Sequence, residues 1–175
     1  MNKSAINPMP VYFDRYINLV PDDLDIIPAI QKSIMEVYQL DKDKVTELDG
    51  RVYEPGKWTI KQILLHIADT ERIFLYRALR FARKDSTPLQ SFDEKLFADN
   101  SCAEERTLES LLEELVAVKQ GTLAFYKNLN SAQLLQIGNT YNTQISVLGV
   151  GFTLVGHQTH HFKIIEERYF PLLNA

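Results

Sequence analysis

The chain has 175 residues and a formal charge of −4, so its length suits one domain and its balance offers no field for a polyanion. It has seven glycines and seven prolines, about 4% of each against averages near 7% and 5%, which argues against collagen-like, linker-like and turn-rich all-β chains. A hydrophobic share of 45% is too apolar for a disordered chain, and the single cysteine, Cys102, excludes a disulfide framework.

No basic stripe marks a nucleic-acid surface, and no run approaches the ~18 apolar residues of a membrane span. The segment from Met1 to Tyr12 lacks the charged start and apolar core of a signal peptide. The expectation is one cytoplasmic domain over 1–175 with a short N-terminal arm of about 20 residues. Cys102 reads as a thiol near a helix start, because nothing local supplies the base a catalytic thiol needs.

Four long helical segments follow in order. The first spans about Asp23 to Leu40, where Ile27, Ile30, Ile34 and Val37 share one face. Pro28 sits in its first turn, and Asp22 and Asp23 are the expected caps. The second spans about Ile60 to Arg83. Pro55-Gly56 turns the chain before it, Thr59 and Gln62 form a capping box, and Trp58 is placed to pack on Ile63 as a hydrophobic staple. Ile63, Ile67 and Phe74 then keep the helical period. A connection from Asp85 to Asn100 is long for a helix–helix link, as lids and crossovers are, and carries the string Phe92-Asp93-Glu94. The third helix is expected from about Ala103 to Asn128, capped by Ser101 and Glu104, with Leu108, Leu111, Leu112 and Leu115 on one stripe. The fourth is expected from about Thr143 to Tyr169, ahead of Pro171. Its first half holds β-branched residues and Gly149, Gly151 and Gly156, so a strand competes there. Continuity of Val147, Val150, Leu154, His157, His161 and Ile164 on one face favours a helix. The fold class is therefore all-α, a four-helix bundle with a long connection between the second and third helices.

Histidine is the residue type that carries chemistry. There are four: His66, then His157, His160 and His161. His157 and His161 stand at i, i+4, one turn apart on an otherwise apolar face, where two imidazoles are costly unless bonded or coordinated. His66 sits among Ile63, Ile67 and Ile73. Three imidazoles from two facing helices can hold one metal ion and leave coordination positions open, although HxxxH also arises by chance and a lone histidine is often a bonded core residue. His160 points away from the pair, yet His157 with His160 is a rival i, i+3 pairing. Asp69, one turn beyond His66, is either a carboxylate that orients a ligand or a surface helix acid.

The stretch from Glu54 to Asp69, with its P-G-x-W-T lead-in and His66-Ile67-Ala68-Asp69, resembles the second helix of the DinB-like superfamily. Within it the resemblance is nearest to YfiT-type metal-dependent hydrolases and bacillithiol transferases. His157-Gln158-Thr159-His160-His161 matches the H-x-x-H-H of the family's last helix, and Phe92-Asp93-Glu94 is similar to a short motif in its second connection. The resemblance implies a DinB/YfiT-like bundle holding one divalent transition metal ion, zinc or nickel, on His66, His157 and His161. The sequence departs from the family at Gly156, where an aromatic is common, and at Ile164, where a further histidine often stands. The first change is expected to enlarge the pocket.

Three functions are then expected in turn. The ion activates a low-molecular-weight thiol for transfer to an electrophile, since a coordinated thiol is deprotonated. Alternatively it acidifies water for hydrolysis, with His160 or Asp69 as the catalytic candidates for base. A structural metal in a stress-response module is the third. The expected partners are a small-molecule substrate and a second copy in a homodimer, with neither nucleic acid nor membrane.

Overall fold

The computed structural model describes residues 1–140 and 143–174. Four long helices carry the architecture: α2 (Ile26–Gln39), α4 (Ile60–Ala82), α6 (Leu108–Lys127) and α8 (Val147–Ile164). Shorter helices join them: α1 (Asp14–Ile17), α3 (Lys42–Leu48), α5 (Glu94–Asp99) and α7 (Ser131–Leu134). A two-stranded antiparallel hairpin, β1 (Ile137–Thr140) with β2 (Thr143–Ser146), leads into α8, Ile137 pairing with Ser146. No helix among the described residues is long and apolar enough to cross a membrane.

The start of α4 forms as expected. Thr59 accepts from the Gln62 amide at 3.2 Å and donates its own amide to Gln62 Oε1 at 3.0 Å. Three other expected boundaries are corrected. Asp25 rather than Asp22 or Asp23 occupies the cap of α2 and makes no side-chain cap bond; Asp22 instead pairs with Lys3 at 2.6 Å. The third helix begins at Leu108 under a Thr107 cap. Cys102 is left-handed (φ 50°), residues Ala103–Glu105 form only a 3-10 turn, and the Glu104 carboxylate takes the Thr59 hydroxyl instead of capping its own helix. Thr143 to Ser146 is strand, so the last helix starts at Val147, where Ser146 caps it by accepting from the Gly149 amide at 3.0 Å.

Two apolar clusters fill the bundle. One unites the N-terminal half of α2, the C-terminal halves of α4 and α6, and the N-terminal half of α8, with Ile30, Phe74, Tyr126 and Phe152 among its members. The other unites the opposite halves, including Val37, Leu64, Leu111, Leu115 and Ile165. Hence α4 and α6 run parallel to each other and antiparallel to α2 and α8. A parallel pair needs a return along the bundle's length, about 35 Å for the 23 residues of α4. That requirement explains the long second connection.

Between the clusters lies a polar layer. Lys119 on α6 is 3.1 Å from the Glu71 carboxylate on α4 and 3.4 Å from Ser33 Oγ on α2. Gln158 on α8 donates to the Ser33 carbonyl at 2.8 Å and to Glu36 at 3.2 Å. All four long helices are thereby keyed between the two clusters.

Candidate metal centre

His66 faces α8 from the second turn of α4, and His157 and His161 face α4 from the last three turns of α8. Nε2 of His66 and Nε2 of His161 each lie 3.1 Å from Nε2 of His157. The three candidate ligand atoms all lie within 4.8 Å of one another. Nitrogens bound to one ion at ~2.0–2.1 Å stand about 3.3 Å apart in a tetrahedral site and about 2.9 Å apart in an octahedral one. The observed spacing falls between, so this trio is able to coordinate a divalent metal.

Electrostatics favour the ligand form. His66 and His157 are buried and His161 is slightly more open. Burial holds His66 down at about 4 and His161 down at about 3, the latter helped by His66 and His160. Burial, then His161 and His66, hold His157 well below its ordinary value. All three are neutral at pH 7 and offer lone pairs rather than repelling a cation.

The surroundings orient the rings. Trp58 packs on the apolar cluster that includes Ile63 and lies against His66, the candidate ligand, with ring centroids 4.7 Å apart. The Tyr169 hydroxyl donates to the Trp58 backbone carbonyl and fixes the main chain that carries this indole. Tyr16 packs edge-on to His157 at 5.3 Å and to His160 at 5.5 Å. Gly156 makes that possible: a Cβ there would stand 1.9 Å from the Tyr16 carbonyl oxygen. The expected enlargement of the pocket at Gly156 is therefore corrected, because the Tyr16 backbone fills that room.

His160 sits beside the cluster, its ring 5.2 Å from that of His161. Asp69 is hydrogen-bonded to Arg72 at 3.2 Å, and Arg72 reaches on to Glu114 of α6 at 2.5 Å. Burial raises the Asp69 carboxyl despite Arg72.

Beside His157 opens a cavity of about 420 Å³. Phe92 and Glu94 of the long connection reach its wall, which gives the Phe92-Asp93-Glu94 string a place, and Asp93 caps α5 by accepting from the Leu96 amide at 3.0 Å. Sequence reasoning missed Thr70 and Tyr16 here. Thr70 was findable as the i+4 neighbour of His66; Tyr16 left no local signal.

A helical bundle with a buried three-histidine cluster of this kind defines a metal-binding bundle protein. The family model of the DinB superfamily matches residues 16–165, and the chain belongs to that superfamily. It is 29% identical over 119 residues to an Oceanobacillus iheyensis protein named "Putative metal-dependent hydrolase OB0413", covering 67% of this chain and 68% of that one. Its fold is similar to that of YfiT from Bacillus subtilis, described as "a probable metal-dependent hydrolase with an unusual four-helix bundle topology", with a TM-score of 0.67, 16% identity, and coverage of 93% of this chain and 87% of the other.

Proposed function

We propose that His66, His157 and His161 hold one divalent transition metal ion, zinc or nickel, and that the protein is a metal-dependent hydrolase of small molecules. The observation that carries this reading is the convergence of three neutral imidazoles, with Nε2 of His66 and of His161 each 3.1 Å from Nε2 of His157, next to a cavity. A bound ion supplies Lewis acidity there and lowers the pKa of the water or thiol it binds.

The protein's own groups do the rest. The edge-on contact of Tyr16 and the packing of Trp58 hold the His157 and His66 rings in place. His160, with its ring against His161, is the better placed of the two candidates to move a proton, because the Asp69 carboxylate is committed to Arg72. Asp69 then serves to fix α4 against α6 through Arg72 and Glu114.

Zinc- or nickel-loaded protein is to be screened on ester, amide and phosphoester substrates, with and without added low-molecular-weight thiols. Hydrolysis without thiol, abolished by chelation and by His66→Ala, is the expected result. Activity that persists in His66→Ala would refute the site. A strict requirement for thiol, with thiol consumed, would replace hydrolysis by thiol transfer to an electrophile.

A further inference from the structure

The cavity beside His157 is walled by rings and an aliphatic side chain: Tyr12, Phe13, Tyr16, Phe74, Phe92 and Leu154. Its 420 Å³ lies within the ~300–1,000 Å³ of small-molecule sites. Its one formally charged lining residue, Glu94, is exposed on α5. The arm that carries Tyr12, Phe13 and Tyr16 packs on α8, so this wall is part of the bundle.

One polar group in the wall stands out. Thr70 is 5% exposed, and its Oγ1 is buried with no hydrogen-bond partner. The other helical threonines behave differently. Thr46, Thr122, Thr153 and Thr159 each donate to the carbonyl four residues earlier, at 2.7, 3.4, 2.8 and 3.1 Å. Leaving a buried hydroxyl unbonded costs free energy that the same back-bond would have relieved. Thr70 follows His66 by one turn on α4, and Thr153 precedes His157 by one turn on α8. The two threonines thus belong to the layer next to the histidines, about 6 Å along the helix axes.

We propose that this cavity binds an uncharged, aromatic-bodied substrate whose hydrogen-bonding group meets the Thr70 hydroxyl once that side chain, which lines the cavity, turns about χ1 to face it, one helical turn from the histidine cluster. The aromatic walls take the body of the molecule, and the buried hydroxyl selects for one polar group at a fixed distance from the atom presented to the cluster. A site built to hydrogen-bond a polar group discriminates against the analogue that lacks it, because its own buried group then stays unpaired. The proposal rests on the metal-centre reading only in calling the occupant a substrate.

The test uses the full chain, metal-stripped and zinc-loaded, titrated with 2-naphthylmethanol and with 2-methylnaphthalene as the probe lacking the hydroxyl. The alcohol should bind both forms of the wild-type protein. Thr70→Val should weaken it about three- to tenfold, the value of one neutral hydrogen bond, and leave 2-methylnaphthalene unchanged; Thr70→Ser should restore alcohol binding. The melting temperature of ligand-free Thr70→Val should be unchanged or raised, since the hydroxyl it loses has no partner. Four results would overturn the proposal: no binding of either probe to wild type, no loss of alcohol affinity in Thr70→Val, a lowered melting temperature in that variant, or tighter binding of 2-naphthylmethylamine or 2-naphthoate than of the alcohol. Probe binding to the metal-stripped protein reads the cavity alone, and metal stoichiometry reads the histidines alone, so the two readings fail separately.

Discussion

Trp58 is the only tryptophan of the chain, and its ring lies 4.7 Å from that of His66. It is therefore a built-in reporter on the candidate centre. Nickel, which is paramagnetic, should quench its fluorescence and saturate at one equivalent. Closed-shell zinc should quench it far less and should reverse the nickel effect by competition. His66→Ala should abolish saturable quenching; quenching that is linear in nickel and indifferent to this substitution would deny the contact. Gly156→Ala asks a second question at this level. The added methyl meets backbone rather than a flexible side chain, so α1 must move off α8, and overpacking of this kind costs about 1–3 kcal/mol or more. Urea unfolding measures the loss. The histidine trio was readable from sequence because i, i+4 spacing already puts two imidazoles together and His66 sits on the apolar stripe of a facing helix, while the family resemblance chose this set over the His157–His160 pairing. Tyr16 was not, because its approach depends on one missing Cβ 140 residues away along the chain.

The elements repeat that contrast. The start of α4 was readable because Thr59, Gln62 and the amides they serve are all local. The start of α6 was not, since the Glu104 carboxylate of the expected capping box is taken by Thr59, 45 residues distant. The hairpin before α8 was half legible: β-branched residues let a strand compete there, but Ile145 continues the apolar run of the helix it precedes, and only pairing with β1 decides its conformation. Helix α8 shows no single apolar stripe because every residue from Val147 to Gln158 is buried, surrounded by α1, α2 and α4. What keys these helices is the Glu71–Lys119 pair, with side chains 2% and 1% exposed. Glu71→Gln strands a buried ammonium and should destabilise the protein by about 3–5 kcal/mol in urea unfolding. The double variant Glu71→Leu/Lys119→Met should recover most of that loss. A loss below ~1 kcal/mol in the single variant would show that the pair is not desolvated.

For the whole molecule, the parallel course of α4 and α6 was not predictable from helix periodicity, which says nothing of direction. The long 85–100 connection hinted at it, and the two apolar clusters establish it by joining like halves of α4 and α6. Glu114 helps hold that parallel pair, bonded to Arg72 of α4 and to Arg106. Burial pushes its carboxyl up, but the hydrogen bonds and charges of Arg106 and Arg72 outweigh burial and leave it below the usual value. Its contribution to stability is present above the ordinary glutamate pKa of about 4.3 and is lost as pH falls through the lowered value. Glu114→Gln should therefore flatten the fall in stability with acid below about pH 5. An unchanged slope would remove Glu114 from the acid response.

The whole arrangement places a polar, metal-competent layer between two apolar halves and opens it on one side to a cavity. Metal analysis of freshly purified native protein beside His157→Ala bears on this most directly. His157 is the nitrogen to which both other histidines are nearest, 3.1 Å each. One equivalent of zinc or nickel in the native protein and a small fraction of that in a folded His157→Ala is the predicted result. No stoichiometric metal in the native protein, even after incubation with zinc and nickel, or full occupancy in His157→Ala, would contradict it.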